Sequence, residues 1–98
     1  MPTYMVERYM PGVSAGDVLA AAGRAKETTA IMSEEGVLVR YLRSTYLPSE
    51  EACFCLFESP SEELVRAANE RAGIPFDRIV KAVYVASEDL GPGRASGR

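Results

Sequence analysis

Histidine and tryptophan are missing from this chain of 98 residues. Without imidazole the chain lacks the usual neutral-pH base, the commonest metal ligand and every catalytic triad built on histidine. Cysteine is scarce too: Cys53 and Cys55 stand one residue apart and have no other cysteine to pair with. In an extended strand that spacing sets two side chains on one face about 7 Å apart, too far for an unstrained disulfide. An internal disulfide framework is excluded, and a reducing compartment fits. No run approaches the roughly 20 apolar residues of a membrane span, and the opening Met1-Pro2-Thr3 lacks the basic and apolar stretches of a secretory signal. The expected location is the cytoplasm, with no membrane partner. Neither charge sign dominates: eleven basic and fourteen acidic residues leave a net charge of -3, which argues against a nucleic-acid partner. Gly12 and Gly16 lack the spacing of a phosphate-binding loop, so Ser14-Ala15-Gly16-Asp17 reads as a helix cap.

What is present is the balance of an ordinary folded domain, 47% hydrophobic and 26% charged. A chain this short buries only roughly 60 to 65% of its unfolded surface, enough for one core and little room for a private active-site cavity. Thr3 to Met10 is rich in aromatic and β-branched residues and predicts a first strand, stopped by Pro11-Gly12. Ser14 and Asp17 open a helix that runs to Glu35, with Val18, Leu19, Ala22, Ala25, Thr29 and Met32 inward and Gly36 as the stop. Val37 to Leu47 and Ala52 to Ser59 predict a hairpin closed at Pro48-Ser49-Glu50-Glu51. Ser59 or Ser61 caps a second helix through Arg71 or Ala72, carrying Leu64, Val65, Ala68 and Ala72 inward, before Gly73 and Pro75 end it. Ile79 to Ala86 is the last strand. The domain is expected over residues 1–87 and a flexible C-terminal tail over residues 88–98, where Gly91 to Arg98 has too little apolar surface to order itself.

Strand, helix, strand, strand, helix, strand is the order of a ferredoxin-like α+β sandwich, with both helices on one face of a four-stranded antiparallel sheet. The other face stays open. In a monomer it should be polar, giving a clean alternation, yet Cys53-Phe54-Cys55-Leu56-Phe57 and Val83-Tyr84-Val85 are apolar on both parities. A second copy related by a two-fold axis is the expected cover.

Two constellations carry chemistry. Cys53 and Cys55 would supply half a tetrahedral soft-metal site if they stood at the two-fold axis; otherwise they are small apolar fillers. Glu7 stands mid-strand, where a carboxylate on a buried face needs a cation or donors. Arg43 is a candidate for that cation, and with Tyr9, Tyr41 and Tyr46 the pair would line a ligand pocket on the open face; a structural ion pair is the alternative. Parity puts Met5, Glu7 and Tyr9 on one face and Tyr4, Val6 and Arg8 on the other, without saying which faces the helices. The adjacent glutamates Glu34-Glu35, Glu50-Glu51 and Glu62-Glu63 sit at element ends and read as solvation and dipole matching.

From Tyr4 to about Val85 the chain resembles a family of small bacterial ferredoxin-like proteins, mostly of unknown function, one member of which is described as nickel-binding. The resemblance rests on Met5-Val6-Glu7-Arg8, Arg43-Ser44-Thr45-Tyr46, Cys53 through Pro60, Ala72-Gly73-Ile74-Pro75 and Asp77-Arg78-Ile79. Relatives often carry one histidine near the end of strand two and another in helix two, at the places of Arg43 and of Ala68 or Asn69 here. The resemblance therefore adds Asn69 to the expected ligand-binding residues Glu7, Tyr9, Tyr41, Arg43 and Tyr46. It also implies that a histidine-type nickel site is lost, so no native metal ligands are assigned. The expected function is a dimeric binding protein that holds a small ligand or metal ion at the sheet face. The alternatives are a cofactor-independent isomerase, cyclase or oxygenase of the dimeric α+β barrel type, and a plain protein-interaction module.

Overall fold

A computed structural model of the protein describes residues 1–92. β1 (Thr3–Tyr9), α1 (Ala15–Glu34), β2 (Arg40–Leu47), β3 (Ala52–Glu58), α2 (Glu62–Arg71) and β4 (Arg78–Ala82) follow one another in the expected order. The strands form one antiparallel sheet, β2-β3-β1-β4, so the first strand lies inside and the second and fourth form the edges. The ferredoxin-like sandwich is thus the fold of this chain. Among the described residues no helix is long and apolar enough to cross a membrane.

Local chemistry sets the helix starts. The Ser14 hydroxyl accepts from the Asp17 amide at 3.1 Å while the Asp17 carboxylate accepts from the Ser14 amide at 2.9 Å, a reciprocal cap that holds the Asp17 carboxyl below its ordinary pKa. Of the two serines offered for α2, Ser61 is the cap, accepting from the Leu64 amide. Ser59 is fully buried instead and donates to the Leu38 carbonyl. α1 buries Val18, Ala21, Ala25, Thr29 and Met32; Leu19, read as inward, is exposed.

Two boundaries differ from the sequence reading by three residues or more. β2 starts at Arg40 rather than Val37, because Gly36 turns the chain at φ +88° and the Val37 amide donates back to Met32. Val39 then plugs the core from outside any ladder. β4 ends at Ala82 rather than Ala86, because its partner β1 begins at Thr3, opposite Ala82. Val83-Tyr84-Val85 is therefore not strand, and Val83 is 89% exposed. Beyond it, residues 87–89 form a short 3-10 turn with the Ala86 amide donating to Asp89. Residues 93–98 of the expected C-terminal tail lie outside the described residues.

Candidate functional site

Burial settles the parity of β1. Tyr4, Val6 and Arg8 point into the helix layer, and Met5, Glu7 and Tyr9 lie on the open side. By register, Cys53, Cys55 and Phe57 share the helix side with Tyr41, Ser44 and Tyr46, whereas Phe54, Leu56, Arg43 and Val80 share the open side. The sheet thus divides the expected ligand set. Glu7, Tyr9 and Arg43 stand on one side; Tyr41, Tyr46 and Asn69 stand on the other.

On the open side Glu7 does find a cation, but it is Arg78, with Nε at 2.9 Å. Arg43 is not its partner, because it lies on edge strand β2, separated from β1 by β3. Arg43 reaches the other way, donating to the Tyr84 hydroxyl, with its guanidinium carbon 5.1 Å from the Tyr84 ring centre. Since Arg43 sits opposite Leu56 and Tyr84 follows β4, this bridge crosses the width of the sheet, and Leu56 is only 7% exposed despite facing outward. Tyr9 is exposed; its amide donates to Asp77. Glu7, Tyr9, Phe54 and Asp77 line a shallow hollow of about 140 Å³.

The helix side holds a polar cluster centred on Arg8, which the sequence reading assigned to no site. Arg8 is only 4% exposed. Its Nη1 donates to the Pro75 carbonyl at 2.9 Å and its Nη2 to Asn69 Oδ1 at 2.7 Å, while Nε, buried as well, has no partner. Asn69 is oriented by its own donation to the Val65 carbonyl. Every acceptor that Arg8 uses is neutral, although a buried cation is costly without an opposite charge. Beside it in register is Cys53, whose sulfur lies 3.7 Å from that of Cys55. Cys55 Sγ is 3.0 Å from the Ser44 hydroxyl, which is 2.7 Å from the Tyr41 hydroxyl. Burial, followed by the neighbouring Cys55, pushes the Cys53 thiol up to about 11 against the pull of Arg8. Burial also raises Tyr41. Both cysteines are free and border a cavity of about 10 Å³ between the sheet and α1.

Two corrections follow. The cysteine side chains converge well inside the 7 Å strand spacing, because both lean into the same gap. They also face α1, so they cannot meet a second copy across the open face. The signal for Arg8 was its parity: if Val6 is core, Arg8 two residues on shares its face. Asn69 was reached only through resemblance, and its role is to hold Arg8.

A ferredoxin-like sandwich with a buried arginine and a thiol pair under its first helix is the class that these observations define. Within it, the chain belongs to the family of nickel-responsive proteins like SCO4226, whose family model matches residues 4–82. It is similar to the crystal structure of SCO4226 from Streptomyces coelicolor A3(2), with 25% identity and a TM-score of 0.69 over 86% of this chain and 99% of that one. No curated protein matches the chain. The residues here do not suit nickel held in the ordinary way. The chain has no imidazole, and among the described residues no three His, Cys, Asp or Glu side chains converge.

Proposed function

We infer that this chain is a small binding protein of the cytoplasm that works as a homodimer, two copies meeting over their open sheet faces with a small ligand or metal ion held at that face beside Glu7. The observation that carries this reading is the character of the open side. Met5, Phe54 and Val80, each half-buried, form its apolar middle, with Val83 and Val85, 89% and 59% exposed, just beyond it. The ion pairs Glu7–Arg78 and Arg40–Glu58 lie around this middle. An apolar patch with a charged rim favours association, and a two-fold axis brings a matching patch to it. The hollow lined by Glu7, Tyr9 and Asp77 leaves space for a ligand of a few atoms between such faces. Membership in a metal-responsive family supports binding over chemistry. So does the engagement of Glu7 by Arg78, since the enzymatic alternative needs Glu7 as a free base. A reducing cytoplasm suits the two free thiols.

Sedimentation velocity of tag-free protein at micromolar concentration tests the reading. The expected result is a dimer that Phe54→Glu and Met5→Glu each convert to a monomer with an unchanged circular dichroism spectrum. A wild-type monomer overturns it.

A further inference from the structure

The small cavity on the helix side gathers more sulfur than a core filler requires. Cys53 and Cys55 border it from β3, and Met10 borders it from just beyond β1. α1 covers it with Ala21, Ala22 and Ala25, side chains too short to fill the space above the sulfurs. A volume of about 10 Å³ is close to the smallest that admits a single water, so the space takes one water or one small ion and nothing larger.

Geometry, charge and donor type select that ion. Metal–thiolate bonds of about 2.3 Å drawn from two sulfurs 3.7 Å apart meet at roughly 107°, so both cysteines reach one ion without moving. Two thiolates around a monovalent cation carry one net negative charge, and the buried Arg8 beside them carries one positive charge that no carboxylate balances. Its unpartnered Nε–H is a donor in want of an anion. A divalent ion would leave the positive charge standing, and it would also want a fuller shell than two thiolates and a thioether supply. Thiolate and thioether donors are the set that selects copper(I).

We propose that this cavity binds one soft monovalent cation of the copper(I) class through the thiolates of Cys53 and Cys55, with the Met10 thioether as third donor and Arg8 as counter-charge. Each thiol gives its proton to solvent as its sulfur–metal bond forms, and no electron changes hands. The site lies across the sheet from the ligand face inferred above, so either assignment can fail alone.

The test is an anaerobic titration of tag-free protein with copper(I) supplied as its bicinchoninate complex, with native mass spectrometry for stoichiometry and X-ray absorption at the copper edge for donors. The expected result is one copper per chain withdrawn from the chelator, a first shell of sulfur alone, no copper taken by the Cys53→Ala/Cys55→Ala variant, and binding about tenfold weaker in Met10→Leu. The proposal is overturned if wild-type protein withdraws no copper, if nitrogen or oxygen dominates the shell, or if the double variant binds like wild type. A Met10→Leu variant as tight as wild type overturns the three-donor set. The absorption spectrum of wild-type protein decides even if the double variant fails to fold.

Discussion

The two sides of the sheet treat arginine in opposite ways. On the open side Arg78 and Arg40 meet the carboxylates of Glu7 and Glu58 while remaining largely in water. On the helix side Arg8 is withdrawn from water and given only a backbone carbonyl and an amide oxygen. Exposed ion pairs are worth little, because water solvates each member nearly as well as its partner does. A buried guanidinium has no such alternative, so each of its hydrogen bonds matters and each missing one counts against the fold. Proximity to an opposite charge is therefore the wrong guide to importance in this molecule: the arginine without a carboxylate is the one the structure depends on.

The contrast is broken most forcefully at Asn69. Asn69→Leu takes the acceptor from a charged donor that cannot reach water, and urea denaturation is expected to show a loss of about 3 kcal/mol. Arg8→Met removes the charge but leaves two neutral acceptors, Asn69 Oδ1 and the Pro75 carbonyl, without their donor, so it should destabilise, though less than Asn69→Leu; the reverse ranking would show that the hydrogen bonds of Arg8 outweigh the cost of burying its charge. A smaller effect comes from Cys53. Its thiol ionises near 9.0 when unfolded and at about 11 when folded, so between these values the unfolded chain has released a proton that the folded one keeps. This contribution is full below pH 9 and is lost as pH rises from about 9 to 11. Stability should decline through that window, and the decline should flatten in Cys53→Ala. Smallest of all is Glu7→Gln on the open side, expected to leave the unfolding midpoint of the dissociated chain within scatter, with any residue of effect vanishing in high salt.

The element order was legible because caps and breakers act locally. Ser14 with Asp17, Gly36, Ser61, and Gly73 with Pro75 decide where helices start and stop before any long-range contact forms. Strand ends were less legible, since a ladder stops where its partner stops, and nothing in Val83-Tyr84-Val85 records that β1 begins at Thr3. The site was divided for the same reason. Period-two alternation sorted Glu7 from Arg8 correctly but carried no sign for which face the helices take. Pairing Glu7 with Arg43 overlooked that β3 separates their strands, while Arg78, opposite Glu7 in the register, stood one residue before the strand as read.

Glu51 shows a further way in which a surface residue can mislead. It follows the turn between β2 and β3 with φ at +52°, the one described non-glycine residue at positive φ, a posture that costs an ordinary side chain about 1 kcal/mol. Its carbonyl accepts the Met10 amide at 2.6 Å and its carboxylate accepts the Gly12 amide at 2.9 Å. One residue thus fastens the tip of the hairpin to the chain leaving β1. Glycine there would relax the backbone but drop the carboxylate, and aspartate would keep the charge on a shorter arm. The position is consequently hard to improve by a single substitution.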